Sequence, residues 1–238
     1  MSYKRYDNIL TQRLLEYCTY VVREEEADKY KAAGVKNMLV IPKDAKLKCG
    51  TKIWSFMTTL YWIIENTPES VIAIVDDDIE YFNYLLTESV NITTEYKNSV
   101  EVATSEIERI AQLIVDLQLG FAATCPSAIP YKYDKEFHLK GTPGGVRWIN
   151  KPCFKAVFDP KDFATSDIDM VMQEVMKNRI MLMPMYFNEK SSVQGKNKGG
   201  TTVKSDIMQR YRLALKHKWG KYYQWNERKN QSYISIKR

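Results

Sequence analysis

A run of five apolar residues that ends in three aspartates constrains this chain more than any other feature of its sequence. Residues 71–75 read VIAIV, and Asp76, Asp77 and Asp78 follow directly. A run that is apolar on both faces is typical of a central strand in a parallel sheet. Three adjacent carboxylates repel one another, so they require a cation or strong hydrogen-bond donors among them. The sequence therefore predicts a central parallel strand that carries carboxylates to the edge of a sheet.

Alternation along an extended chain indicates which of the three carboxylates meet. Residues two apart face the same side, so we expect Asp76 and Asp78 to converge and Asp77 to point away. Such a pair suits a hard divalent cation, Mg²⁺ or Mn²⁺, that also binds a diphosphate. The alternative is an acidic turn without a ligand. The apolar run before the acids favours metal and phosphate binding.

Short apolar runs alternate with helical patterns through the first 125 residues. The patterns predict strands at 18–22, 37–42, 71–75 and 121–124. They also predict helices from about residue 24 to Gly34, at 51–66 and at 105–120. Ser105 and Glu108 form a capping box at the start of the third helix. Farther along they predict strands at 144–149, 154–158 and 180–187, a helix at 167–178, a loop at 191–202 and a last helix at 205–218. This alternation predicts an α/β fold with a doubly wound sheet, whose ligands bind at the carboxyl ends of strands.

Charge divides the chain into two parts. Residues 190–238 contain 13 basic and 2 acidic side chains, a net charge of +11, whereas residues 1–189 contain 22 basic and 27 acidic side chains, or −5. Aromatic residues are interleaved with the basic ones: Tyr211, Trp219, Tyr222, Tyr223, Trp225 and Tyr233. This composition suits a phosphate backbone with bases to stack on, the alternative being a solvated helix face and a frayed terminus. We therefore predict a catalytic domain at 1–189, followed at 190–238 by a basic loop and helix that complete the site or contact nucleic acid.

Composition argues against several other classes of protein. The four cysteines form no Cys-x-x-Cys metal motif and no secreted disulfide framework. Only His138 and His217 are present, which argues against a zinc site that needs two or three imidazoles. Neither a secretory signal nor an apolar stretch long enough to span a bilayer is found. We expect a soluble cytoplasmic protein without integral membrane association.

The acidic strand end resembles the Asp-x-Asp signature of nucleotide-sugar glycosyltransferases with the GT-A fold. The wider pattern is similar to the TET/JBP-associated glycosyltransferase family, phage and related proteins proposed to add sugars to hydroxymethylated pyrimidines in DNA. The matching features are residues 21–23 with Glu26 and Tyr30, and residues 39–42, 50–52, 74–79 and 166–169. The resemblance extends over residues 17–225 and implies a GT-A-like, Rossmann-like mixed central sheet flanked by helices, with a basic C-terminal helical tail.

The resemblance implies roles for the residues around the acidic strand end. Asp76 would face the ribose and Asp78 the metal, with Asp76 also available to the metal and Asp77 supporting either contact. Arg23 and Lys52 would reach the nucleotide from neighbouring strand ends, the alternative being ordinary surface charge. The family pattern often has Arg-Asn after the glycine turn, where this chain has Lys52 followed by isoleucine.

A second acidic pair, Asp167 and Asp169, lies at the start of a predicted helix. Its spacing does not put both side chains on one helical face, so only one is expected to enter the site. Capping and the helix dipole also favour aspartate at this position. The resemblance implies a carboxylate base here in an inverting enzyme, and Asp167 is the preferred candidate over Asp169. In a retaining enzyme the same carboxylate would orient the sugar.

Two further groups are candidates for binding. The Gly- and Lys-rich loop contains Lys196, Lys198, Gly199 and Gly200, which would close over the diphosphate or simply connect to the last helix. On the acceptor side the candidates are Gly144, Gly145, Arg147 and Trp148, with Trp148 either stacking on the acceptor or lying in the core. Either histidine would be able to complete a metal site, although a structural or exposed position is the simpler expectation.

The expected function is transfer of a sugar from a nucleoside diphosphate sugar, with UDP as the expected nucleotide, to hydroxymethylcytosine or hydroxymethyluracil in DNA. Mn²⁺ or Mg²⁺ would stabilise the departing diphosphate. Three alternatives remain open at this point: a metal-dependent nuclease or nucleotidyltransferase, a non-catalytic DNA-binding module, and a glycosyltransferase whose acceptor is a glycan, lipid or protein.

Overall fold

Helices and strands alternate along the chain, and the protein has the mixed α/β architecture that the sequence predicts. The computed structural model describes residues 2–84, 90–91, 99–126, 135–162, 164–191, 205–228 and 231–236. Its strands are β1 (Tyr20–Arg23), β2 (Met38–Ile41), β3 (Val71–Val75), β4 (Ile79–Tyr84), β5 (Val90–Asn91), β6 (Phe121–Ala123), β7 (Phe137–His138), β8 (Val146–Asn150), β9 (Met183–Pro184), β10 (Phe187–Ser191), β11 (Tyr223–Asn226) and β12 (Gln231–Ile234). Its α-helices are α1 (Ala27–Ala32), α2 (Phe56–Asn66), α3 (Ser99–Asp116), α4 (Asp167–Asn178) and α5 (Ser205–Trp219).

The strands form several small sheets. β1 and β2 pair in parallel, while β8 lies between β3 and β6 and is antiparallel to both. β4 lies between β10 and β5, and the pairs β7–β9 and β11–β12 are also antiparallel. The prediction that β3 is a central parallel strand is therefore wrong, since among the described residues it forms the edge of an antiparallel sheet. An apolar run favours a strand but does not specify the direction of its neighbours, and of the residues of β3 only Ile74 is buried.

The sheet formed by β3, β8 and β6 has hydrophobic clusters on both faces. Ile149 of β8 packs in a cluster with residues of α2 and α4, whereas its neighbour Trp148 packs in a cluster with residues of α3. Adjacent residues of a strand point to opposite faces, so α3 covers one face and α2 with α4 covers the other. All five residues of β8 are buried. The sheet therefore positions side chains of β8 against helices on either side.

Several boundaries differ from the predictions because long-range contacts override local patterns. α2 begins at Phe56, after a capping box on Ser55, and leaves Trp54 68% exposed. α3 begins at Ser99, so Ser105 lies inside the helix and is not its cap. The predicted helix after residue 24 is a 3-10 turn followed by the short α1.

The segment 154–158 is not a strand, contrary to the prediction. Side chains of α4 take the place of a neighbouring strand. Glu174 accepts hydrogen bonds from the amides of Lys155 and Ala156, both at 2.5 Å, and Gln173 both accepts from and donates to the backbone of Val157 at 3.0 and 3.1 Å. An apolar sequence satisfied in this way needs no sheet partner.

The C-terminal part of the chain shares a core with α4. Leu215 of α5 and Tyr223 of β11 cluster with Ile168 and Met172 of α4. The described residues of the basic segment are thus packed against the rest of the protein and are not a frayed end. None of the described helices is long and apolar enough to cross a membrane.

Substitution of Glu174 tests how the segment 154–158 is held. Glu174→Ala leaves two buried amides without their acceptor, so we expect it to lower the free energy of unfolding by about 3 kcal/mol. Met176→Ala, on the same helix at a side chain that is 48% exposed, is the matched control and should change stability far less. Chemical denaturation of both variants checks this, and equal losses would contradict it.

Candidate functional site

The three aspartates after β3 lie in a turn between β3 and β4. The amide of Asp76 donates to Gly145 O at 2.8 Å, which extends the pairing of β3 with β8 by one residue. The hydroxyl of Thr11 donates to Asp76 O at 2.8 Å. Beyond Asp76 the chain turns, so the two-residue alternation of an extended strand no longer applies.

Arg147 of β8 connects Asp76 with the start of α4. Its Nη1 donates to Asp76 Oδ1 at 3.1 Å, and its Nη2 lies 4.0 Å from Asp167 Oδ2. The guanidinium also lies over the ring of Phe56, the first residue of α2, at 5.1 Å. Arg147 was predicted on the acceptor side, and the structure instead buries it, 5% exposed, between the two acidic groups.

The electrostatics of Arg147 follow from these neighbours. Burial opposes its charge, but Asp76 and Asp167, followed by the hydrogen bond to Asp76 and by Glu189, raise the pKa of its guanidinium above the ordinary value. Asp167 lies at ion-pair distance from this cation without a hydrogen bond to it, and 37% of its side chain is exposed. A carboxylate that is open to solvent in this way can reach an incoming molecule.

Asp77 and Asp78 share a second guanidinium, that of Arg5. Arg5 forms an ion pair with Asp77 Oδ1, and its Nη1 lies 3.3 Å from Asp78 Oδ2. The predicted convergence of Asp76 with Asp78 is therefore wrong: Asp77 and Asp78 meet at Arg5, while Asp76 faces Arg147. The turn at residues 77–78 reverses the alternation on which the prediction depended.

The charged form of Asp78 is disfavoured in this position. Burial raises the pKa of its carboxyl, the nearby Arg5 lowers it, and the charges of Asp76 and Asp77 raise it again, so the balance is a raised pKa. The buried ion pair between Arg5 and Asp77 also does not use all of its polar atoms. Asp77 Oδ2 and Arg5 Nε are buried without a hydrogen-bond partner among the described residues.

Glu189 of β10 is a member of the site that the sequence analysis missed. Its carboxylate accepts the amide of Gly145, and a Cβ on Gly144 would lie 2.7 Å from Glu189 Oε1. Burial raises the pKa of Glu189, hydrogen bonds from Thr124 and Gly145 lower it, and the charge of Asp76 raises it further, for a net increase. The close approach of the Glu189 carboxylate explains why Gly144 and Gly145 have no side chains. No local signal marks Glu189, because its position depends on the pairing of β10 with β4.

Asp169 does not enter the site, although it was a candidate base. It is 1% exposed and lies among partners on α4 and α5. Asp169 Oδ1 accepts from Trp219 Nε1 at 2.8 Å, and Oδ2 accepts from Gln173 Nε2 at 2.9 Å and from Lys218 Nζ at 3.0 Å. Burial disfavours the charge of Lys218, but its hydrogen bonds to Asp162 and Asp169 dominate and raise its pKa. Asp169 therefore anchors the C-terminal part, and of the two acids only Asp167 lies beside Arg147.

Trp148 also takes a structural position. It is 0% exposed, and its Nε1 donates to Ile107 O of α3 at 2.9 Å. Its ring cannot stack on an acceptor from this position, so of the two interpretations only the core one agrees with the structure.

Arg23 and Lys52 lie in neighbouring surface positions. Arg23 Nη1 donates to the carbonyl of Ile53 at 3.0 Å, and the guanidinium carbon of Arg23 lies 5.4 Å from the centre of the Tyr3 ring. Lys52, which precedes Ile53 in the sequence, is exposed. Whether either side chain binds a nucleotide stays a prediction. The candidates Lys196, Lys198, Gly199 and Gly200 lie outside the described residues.

The aromatic residues of the basic segment are partly committed to internal contacts. Tyr223 is 1% exposed, so the prediction that it offers a stacking surface is wrong, whereas Trp219 is half-buried and donates through its indole nitrogen to Asp169. Arg212 lies over the ring of Trp225 at 3.4 Å. An open surface cavity of about 670 Å³ lies beside this pair and is lined by Gln224, Trp225, Asn226, Glu227, Arg228 and Tyr233.

A divalent cation is compatible with the acidic strand end. The part of the chain that the structure describes holds no group of three or more His, Cys, Asp or Glu side chains that would bind a metal by themselves, and this applies to His138 and His217 as well. Mg²⁺ in diphosphate sites is commonly held by one or two carboxylates together with substrate phosphates. The carboxylates of Asp77 and Asp78, which meet at Arg5, fit the requirement for one or two carboxylates, whereas Asp76 is turned toward Arg147.

Comparisons with protein-family models, with curated protein sequences and with solved structures found no match for this chain.

The division of roles between Asp167 and Asp169 predicts that their substitution lowers stability by different amounts. Asp169→Asn removes the charge that pairs with Lys218 in a buried position, so we expect it to lower the free energy of unfolding by about 2 kcal/mol. Asp167→Asn, its matched control on the same helix turn, loses a favourable charge near the helix N-terminus and the longer, 4.0 Å contact with Arg147, together about 1 kcal/mol or less. Urea denaturation measures both, and equal effects would show that the two acids are not distinguished in this way.

The raised pKa of Asp78 predicts that its charge destabilises the fold. A carboxyl with a raised pKa favours the folded state below its ordinary value of 3.8, and that contribution is lost as the pH rises through the raised pKa. Asp78→Asn should therefore raise the melting temperature at pH 7, by roughly 2–4 °C if the gain is about 1 kcal/mol. The gain should shrink toward pH 3. A variant that is less stable than the parent at pH 7 would contradict this account.

Proposed function

We propose that this protein is a glycosyltransferase that transfers a sugar from a nucleoside diphosphate sugar to a hydroxymethylated pyrimidine in DNA. The observation that carries the proposal is the chain of contacts from Asp76 through Arg147 to Asp167. The acidic strand end and the helix start were identified separately in the sequence, 91 positions apart, as a donor site and a base. An inverting transferase needs its donor site and its base side by side, and Arg147 lies beside both of these acidic groups.

Asp167 is the proposed catalytic base. Its carboxylate is exposed enough to accept the proton of an acceptor hydroxyl, and Arg147 keeps it oriented beside the donor site. In an inverting reaction the deprotonated hydroxyl oxygen forms the new glycosidic bond, while the bond from the sugar carbon to the diphosphate breaks. In a retaining reaction the same carboxylate would orient the sugar.

The acidic strand end is the proposed site of the activated donor. Asp78, with Asp77 beside it, would hold Mn²⁺ or Mg²⁺, and the bound ion would supply Lewis-acid stabilisation of the departing nucleoside diphosphate, UDP being the expected nucleotide. Asp76 would face the ribose, and Arg23 and Lys52 would reach the nucleotide. A GT-A-like arrangement is part of this proposal, and the mixed α/β architecture with helices on both sheet faces supports it.

DNA is the proposed acceptor because of the charge and surface of the C-terminal part. Residues 190–238 carry a net charge of +11. The cavity on the hairpin of β11 and β12 combines the Arg212–Trp225 pair with Arg228 and Tyr233, which suits phosphates and bases. Affinity from such contacts should fall steeply with salt.

Mass spectrometry of nucleosides tests the proposal. DNA that contains hydroxymethylcytosine, hydroxymethyluracil or neither is incubated with the protein and a panel of nucleotide sugars, with Mn²⁺ or Mg²⁺. We expect a hexose or pentose mass increment on one modified base. Asp78→Ala and Asp167→Asn should each reduce the rate by about 100-fold or more, whereas Asp28→Ala, at an exposed acid on α1, should not.

Three outcomes would contradict the proposal. Full turnover in excess EDTA would exclude the metal, and absence of any increment with every donor would exclude sugar transfer to DNA. Cleavage or extension of DNA without a sugar donor would favour the nuclease or nucleotidyltransferase instead.

A further inference from the structure

A short segment at the start of the described chain, residues 2–8, lies across the acidic strand end; we call it the strap. Ser2 N donates to Val21 O at 3.0 Å, and its hydroxyl lies 2.6 Å from that of Tyr30. Lys4 N donates to Glu26 Oε2 at 3.1 Å, and Arg5 N donates to Tyr30 OH at 3.0 Å. The strap is therefore docked by backbone hydrogen bonds at the position that carries Arg5.

Tyr30 and Glu26 hold the strap from buried positions. Tyr30 is 0% exposed and Glu26 is 5% exposed. A buried hydroxyl and a buried carboxylate each need hydrogen-bond partners, and the strap supplies them. Because two buried side chains fix its backbone, Arg5 reaches Asp77 and Asp78 from a defined position.

Arg5 balances charge that would otherwise be uncompensated. Asp77 is 8% exposed, and Asp78 has 22% of its side chain exposed. Arg5, with 15% of its side chain exposed, is the cation that contacts both. The contact leaves Asp77 Oδ2 and Arg5 Nε buried and without partners among the described residues, so the pair is not saturated and another ligand has atoms to bind.

A divalent cation on the same carboxylates would lie within a few ångströms of the guanidinium. Two cations at this distance repel each other strongly in a partly buried site. The cation would also satisfy the carboxylates that now hold Arg5. Binding of the ion and docking of Arg5 must therefore oppose each other, and linkage requires the opposition to be reciprocal.

We propose that Arg5 is the resident counter-ion of the acidic strand end and that a divalent cation binds there in competition with it, displacing the Arg5 side chain. This inference rests on the proposed function, because the proposed function supplies the reason for an ion to bind there. It adds that the ion enters the site only as Arg5 leaves it. The displaced guanidinium is then available to a diphosphate arriving with the metal.

Titration with Mn²⁺, followed by the electron paramagnetic resonance signal of the free ion, tests the competition without any sugar donor. Arg5→Gln should bind Mn²⁺ about tenfold or more tightly than the parent protein. Arg5→Lys keeps the charge and should stay within a few-fold of the parent. Lys4→Gln is the matched control, since Lys4 lies over the Tyr3 ring at 5.0 Å and removing its charge should leave the affinity unchanged.

Cleavage by an arginine-specific protease measures the reciprocal effect on the intact protein. A protease of this kind must take up the Arg5 side chain together with the backbone of the strap, and the ion pairs with Asp77 and Asp78 oppose this in addition to the hydrogen bonds of the strap. Mn²⁺ should therefore speed cleavage after Arg5 several-fold, in proportion to the affinity difference between parent and Arg5→Gln. The same addition should have no effect in Asp78→Asn.

The two hypotheses fail in different ways. Equal or weaker Mn²⁺ binding by Arg5→Gln, or no Mn²⁺ binding by either protein, overturns the competition even if sugar transfer is observed. Tighter binding by Arg5→Gln without sugar transfer to any DNA leaves the competition standing and overturns the proposed function.

Discussion

The buried guanidinium of Arg147 is the contact on which the rest of the site depends. It lies beside Asp76 at the end of β3 and Asp167 at the start of α4, and Glu189 of β10 adds to the negative charge around it. Without this cation, carboxylates from three elements would face one another in a partly buried space. A buried charge is tolerated only when it is paired, and the pairing here lies where the sheet packs against α4.

A second ion pair, of Asp169 with Lys218, places the C-terminal part of the chain. Side chains two apart on a helix point to nearly opposite sides, so Asp167 faces Arg147 while Asp169 faces α5. One helix start thereby connects the candidate chemistry with the basic segment. Lys218 and Trp219 hold this connection through their contacts with Asp169.

Local signals in the sequence were sufficient for the elements nearest the site. The predicted strand at residues 71–75 and the predicted helix at 167–178 have the bounds found in the structure, and the Ser166 side chain caps α4. Both depend on neighbouring residues: a run of apolar side chains in one case, and a capping residue with a helical pattern in the other. Predictions that needed distant partners were wrong. The direction of β3, the hydrogen bonds of 154–158 and the meeting of Asp76 with Asp78 all depend on contacts across the chain.

The sequence by itself determined that acids would emerge from an apolar strand and that others would begin a helix, because strand and helix formation respond to residues within a few positions. Only the tertiary structure decided which acids share a cation. Arg5, Arg147 and Glu189 come from separate parts of the chain, and each reaches the site through strand pairing or buried hydrogen bonds that no local pattern encodes. Charge compensation in a buried site depends on the packing of the whole molecule. Packing places Asp167 beside Arg147 and buries Asp169 against Lys218.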